Sequence, residues 1–132
     1  EVLNLMRELQ SQFSISYLVI THNLPVVRHT SDRIAIMYLG RFVEQGSTQS
    51  IFDSPAHPYT QALLGAVPKP DSKQRRKIIS IEGEVPSLRL RPDGCDFHPR
   101  CKYAQARCRS ESPGETKVGS QHVVRCHFPI SG

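Results

Sequence analysis

The sequence predicts an α/β fold that ends in a small, irregular, four-cysteine extension stapled by a metal. Three observations carry this. Residues 1–67 alternate helix-like and strand-like apolar patterns. A polar, proline-punctuated stretch then interrupts them over residues 68–94. All four cysteines fall afterwards, within residues 95–129.

Taken in order, Val2, Met6, Leu9 and Phe13 stand at i, i+4, i+7 and i+11 and form one apolar helical stripe. Ser16-Tyr17-Leu18-Val19-Ile20-Thr21 is short, β-branched and nearly all apolar, which predicts a parallel strand buried on both faces. Asn23 can then cap a short helix from about Pro25 to Thr30, because Pro is tolerated in a first turn. Arg33–Leu39 is the next strand. Gly40-Arg41 turns the chain, and Phe42–Gln45 returns as a hairpin partner that ends at Gly46. Thr48–Phe52 predicts a short helix, and Pro58–Leu64 another, closed by Gly65 and Pro68. Two strands and a hairpin partner are too few for a whole α/β domain, and the chain opens inside a helical pattern, so it reads as cut from something longer. Ile78–Ile81 is one further strand candidate.

The net charge of +5 is uneven: residues 69–132 hold thirteen Lys and Arg against seven Asp and Glu, residues 1–68 four against five. The basic half suits a solvated face or the neutralisation of an anionic metal centre. A nucleic-acid partner would also need a groove or an aromatic platform, and none is visible. No run approaches the ~18 apolar residues of a membrane span, and the first residues lack a signal-peptide pattern.

Cys95, Cys101, Cys108 and Cys126 are spaced C-x5-C-x6-C-x17-C in a segment poor in large apolar residues. Such a segment needs a staple to fold. Disulfides would demand an oxidising compartment. Zinc suits four thiolates but usually takes C-x2-4-C knuckles, which are missing. An iron–sulfur cluster accepts looser loops, and Arg100, Lys102, Arg107, Arg109 and Arg125 would offset its charge. Spacing leaves all three open. His98, His122 and His127 are spare ligand types that four thiolates make unnecessary. His22 directly follows the apolar run, at the strand edge where open α/β sheets bind ligands. Taken alone, it is better explained as a polar residue that leaves a core strand and meets solvent.

Tyr17-Leu18-Val19-Ile20-Thr21-His22-Asn23-Leu24, followed by Ser31-Asp32-Arg33-Ile34-Ala35-Ile36-Met37-Tyr38-Leu39-Gly40-Arg41, resembles the end of an ABC transporter ATP-binding domain. Phe42-Val43-Glu44-Gln45-Gly46 and His57-Pro58-Tyr59-Thr60-Gln61-Ala62-Leu63-Leu64 look like the extension of oligopeptide and dipeptide importers. Glu82-Gly83-Glu84-Val85-Pro86 and the four cysteines look like the tail of the same subunits. The resemblance implies that His22 is the switch histidine contacting the γ-phosphate of ATP. It also implies that Cys95, Cys101, Cys108 and Cys126 hold a 4Fe–4S cluster, with zinc the alternative. ATP and Mg²⁺ would be cofactors only of the full-length protein, since no G-x-x-x-x-G-K-[ST] loop, Walker B carboxylate or signature motif stands in these residues. The chain alone should therefore not hydrolyse ATP. The implied partners are a second ATP-binding subunit and the transmembrane permease subunits, at the cytoplasmic face of the bacterial inner membrane, with no nucleic acid. Two other classes compete: a zinc-stapled basic nucleic-acid module carrying Lys73-Gln74-Arg75-Arg76-Lys77, and a subunit-interaction module. His57 and Tyr59 read as residues that start a helix and pack.

Overall fold

A computed structural model describes residues 2–67 and 81–130. The order is α1 (Val2–Phe13), α2 (Leu24–Thr30), β1 (Arg33–Tyr38), β2 (Arg41–Ser47), α3 (Thr48–Asp53) and α4 (Pro58–Gly65). A 3-10 turn (His98–Arg100), α5 (Ala106–Ser110), β3 (Thr116–Gly119) and β4 (His122–Val124) complete it. The four strands form one sheet in the order β1-β2-β4-β3, antiparallel throughout. The sheet therefore crosses from the first 67 residues into the cysteine segment, because Glu44 and Gln45 of β2 pair with Val124 and Val123 of β4.

Helix starts follow local chemistry. The Asn23 side chain accepts the Val26 amide at 3.2 Å, and Pro25 sits in the first turn of α2. Ser47 caps α3 by accepting the Ser50 amide at 3.1 Å. The hairpin turn differs from the sequence expectation by one residue. Tyr38 pairs with Arg41, so Leu39 and Gly40 form the two-residue loop, both at positive φ (46° and 74°). Two positive φ values match the right-handed twist of the flanking strands.

The core lies on one side of the hairpin. Ile34, Ile36 and Tyr38 alternate inward along β1 and meet Val43, Ile51 and Phe97. Tyr38, Tyr59 and Phe97 stack with ring centroids 4.8–5.4 Å apart. Phe97 belongs to the cysteine segment, so the tail supplies part of this core instead of standing apart from it.

One expected strand is corrected. Residues 14–21 adopt no regular secondary structure, and Leu18 and Ile20 are 93% and 95% exposed. A parallel strand is buried by neighbours on both edges and helices on both faces. No strand among the described residues pairs with this run. The stripe of α1 is likewise uncovered: Val2, Leu5 and Phe13 are exposed, and the helix buries no residue. The Ile78–Ile81 candidate and Lys73–Lys77 lie outside the described residues, apart from Ile81, which is in no strand.

Candidate functional site

The four cysteines come from four separate segments and line one cavity, together with His57, Phe97, His98, Tyr103, His127 and Phe128. Backbone geometry brings them there. The Cys95 amide donates to the Cys108 carbonyl at 2.8 Å, and the Cys101 amide donates to the His98 carbonyl across the 3-10 turn at 3.2 Å. Before Cys126, the Arg125 amide donates to the Val43 carbonyl of β2 at 2.8 Å. Gly94 permits the Cys95–Cys108 approach. Its φ is +71°, and a Cβ there would stand 2.5 Å from the Cys108 carbonyl oxygen.

All four thiols are free. Burial pushes Cys95 and Cys101 above the usual thiol range and Cys126 up to about 11. Each of the six cysteine pairs repels electrostatically, which adds to the upward shift. Backbone amides act in the opposite direction: those of Phe97 and His98 favour the Cys95 thiolate, Tyr103 that of Cys101, and Phe128 that of Cys126. Amides aimed at sulfur suit thiolate ligands of a metal centre, because they offset charge that a neutral thiol does not carry. Among the described residues, no three His, Cys, Asp or Glu side chains are arranged to hold one metal ion.

The basic side chains act on the thiols from outside the cavity, where the charge of Lys102 favours the Cys101 thiolate. None of Arg100, Lys102, Arg107, Arg109 and Arg125 lines the cavity. Arg107 is paired with Glu111 at 2.7 Å and Arg125 with Glu115 at 2.8 Å, both on the surface. Of the spare histidines, His98 donates from Nδ1 to the Cys95 carbonyl at 3.0 Å and His127 from Nε2 to the Glu111 carbonyl at 2.7 Å.

Sequence reasoning missed the residue that joins the two halves. Glu44 is 1% exposed and accepts three hydrogen bonds: from the amides of Ala56 at 2.7 Å and His57 at 2.9 Å, and from His122 Nε2 at 2.6 Å. It thus ties β2, the start of α4 and β4 together. Arg91 makes a second tie, donating to Asp96 at 2.7 Å and to the Leu39 carbonyl at 2.8 Å. A charged residue within a strand was the only sequence signal for Glu44, and its partner lies 78 positions away.

His57 starts α4 as expected, its Nδ1 accepting the Tyr59 amide at 3.0 Å. It also lines the cysteine cavity. Burial lowers its pKa to about 4, partly offset by the nearby Arg125 carbonyl, so the ring is neutral near pH 7. His22 stands elsewhere. Its side chain is exposed in a bend immediately before the Asn23 cap, where the Asn23 amide donates to Thr21 Oγ1 at 3.1 Å. It does not line the cysteine cavity.

Residues 43–108 match the family described as the C-terminal region of oligopeptide/dipeptide transporters. The chain is 47% identical over 127 residues to a di/tripeptide transport ATP-binding protein, DppF, of Pseudomonas aeruginosa, covering 96% of this chain and 39% of that protein. It is 45% identical over 131 residues to the oligopeptide transport ATP-binding protein AppF of Bacillus subtilis (97% and 40%). With the dipeptide transport ATP-binding protein DppD of Escherichia coli it shares 38% identity over 130 residues (98% and 39%). The chain thus spans about two-fifths of the length of these relatives. With half of its residues inside the family's region, including the strand that carries Glu44, the His57 turn and three of the cysteines, the chain belongs to the oligopeptide/dipeptide transporter C-terminal family.

Proposed function

We propose that this chain is the C-terminal part of an ATP-binding subunit that energises peptide import across the bacterial inner membrane. The observation that carries the reading is similarity over at least 96% of the chain to proteins named for peptide, oligopeptide and dipeptide transport and ATP binding. In the full subunit, ATP and Mg²⁺ are held by residues outside this chain. His22 supplies an imidazole that hydrogen-bonds the γ-phosphate. Its position supports this role: the ring is exposed and follows a run whose Leu18 and Ile20 are open to be covered by further strands. The partners are a second ATP-binding subunit and the permease subunits, at the cytoplasmic face. No helix among the described residues is long and apolar enough to cross a membrane.

Cys95, Cys101, Cys108 and Cys126 are the ligands of a 4Fe–4S cluster in this reading. Four free thiols on one cavity, with amides directed at three of them, support it. A cluster spreads its thiolates where a tetrahedral ion draws them to one point, so cysteines from four separate segments suit a cluster better than zinc in this reading. Such a group supplies a structural staple to a segment with little apolar core. The role of the protein residues is to hold it: Gly94 admits the close backbone, Phe97 anchors the first cysteine loop in the core, and Glu44 fixes β4 and the start of α4 on either side.

The ATP-binding half is tested by His22→Ala in the full-length subunit assembled with its partners. Removing one hydrogen bond to the charge that develops in the transition state lowers turnover by about 10²–10³-fold. An unchanged hydrolysis rate would overturn the assignment.

A further inference from the structure

The ring of His22 is exposed, so its aim depends on the backbone that carries it. Two neighbours fix that backbone. Thr21 Oγ1 accepts the Asn23 amide at 3.1 Å, a bond that closes a turn with His22 at its apex. Asn23 in turn accepts the Val26 amide on Oδ1 at 3.2 Å and the Val27 amide on its carbonyl at 3.1 Å. The residues on either side of the histidine are thus tied to each other and to the first turn of α2.

That helix is itself fastened to the rest of the fold. Val27 packs against the core of β1, β2 and α3, and the Arg28 guanidinium lies over the Phe52 ring, 5.2 Å from its centroid. Just past the helix, the Thr48 hydroxyl donates to the Ser31 carbonyl, and the Thr48 amide donates to the Asp32 carbonyl at 3.0 Å. α2 is therefore a short anchored stem, and the Thr21–Asn23 clasp mounts His22 on its free end. A group that acts on a transition state needs such a mount, because a misplacement of about 1 Å costs about 10²-fold in rate.

We propose that Thr21 and Asn23 are positioning residues for His22: their side-chain oxygens clasp its backbone onto α2 and hold its imidazole where the γ-phosphate arrives. The inference rests on the reading of His22 as the γ-phosphate contact. It predicts an effect on turnover and not on ATP affinity, since the residues that hold the nucleotide in that reading lie outside this chain.

The test uses the full-length subunit assembled with its partners. The kcat and KM for ATP and the thermal unfolding are compared for wild type, His22→Ala, Thr21→Val, Thr21→Ser, Asn23→Ala and Asn23→Asp. Valine keeps the shape of threonine and suits the end of an extended run, but it cannot accept the Asn23 amide. Serine keeps that acceptor, and aspartate keeps the helix cap. The expected result is a kcat about 3–10-fold lower in Thr21→Val and in Asn23→Ala, the equilibrium weight of one hydrogen bond. KM and unfolding temperature stay near wild type, and Thr21→Ser and Asn23→Asp restore turnover. Wild-type kcat in Thr21→Val and Asn23→Ala, beside a loss in His22→Ala, would overturn the inference and leave the reading of His22 standing. Serine and aspartate variants as slow as the valine and alanine ones would overturn it too. If one disrupted variant does not assemble, the other decides by the same comparison; if neither assembles, the clasp serves folding and the inference is overturned. A His22→Ala subunit that hydrolyses ATP at the wild-type rate would overturn the underlying reading itself.

Discussion

Replacing Glu44 with alanine should loosen the cysteine tail from the rest of the chain. The carboxylate is 1% exposed and is the acceptor for two backbone amides and for His122, at 2.6–2.9 Å. Each hydrogen bond to a charged group contributes about 1.5–3 kcal/mol, but three on one carboxylate do not simply add. Deleting one member of a buried charged network costs about 3–5 kcal/mol, because the others are left unpaired and dry. Against a total stability of about 5–15 kcal/mol, that is enough to open the tail without unfolding everything. Glu44→Gln keeps the volume and one acceptor, yet must turn an NH₂ toward one of three donors, so about 2 kcal/mol is expected. A full-length subunit need not unfold in two states, so the fitting assay is native-state hydrogen exchange at Ala56, His57 and the β4 amides. For Glu44→Ala these should exchange faster by about two to three and a half orders of magnitude. A change below about twofold, matching an ordinary surface substitution, would show that Glu44 does not join the halves.

Other substitutions test the cysteine centre. Gly94→Ala combines a positive φ of 71° with a Cβ 2.5 Å from the Cys108 carbonyl oxygen, so it should cost about 1–3 kcal/mol and reduce iron bound per chain; wild-type iron content and thermal stability would contradict the close-approach argument. Cys108→Ser removes the one buried cysteine and should abolish the iron–sulfur chromophore; a wild-type spectrum would exclude Cys108 as a ligand. His22→Ala should leave iron content unchanged while ATP hydrolysis falls, since His22 does not line the cysteine cavity; parallel loss of both would show that His22 acts through folding.

Much of the local structure was legible because its causes are local. Asn23 capping α2, Pro58 opening α4 and the β1–β2 hairpin all follow from residue types within a few positions. The turn was misplaced by one residue because Leu39 takes a positive φ that sequence reserves for glycine. Residues 16–21 were misread in their surroundings: the apolar run is real, but burial depends on neighbours that the described residues do not include. The cysteines were identifiable from spacing as a group, and they line one cavity, while the surroundings of that cavity were not legible. Glu44–His122, Arg91–Leu39 and Phe97 in the β1 core join positions 52 to 78 residues apart or pack across them. No periodicity or motif in one sequence reports such pairs. His57 was legible as the start of a helix, while its place on the cysteine cavity was not.

The identity of the cysteine centre remains the point on which the account of the tail turns, and one measurement reaches it directly: iron and acid-labile sulfide per chain in the anaerobically purified full-length subunit, with its visible spectrum. The account predicts about four irons with matching sulfide and a broad absorbance near ~400 nm, bleached by reduction. Stoichiometric zinc without sulfide, or paired disulfides with no metal, would contradict it.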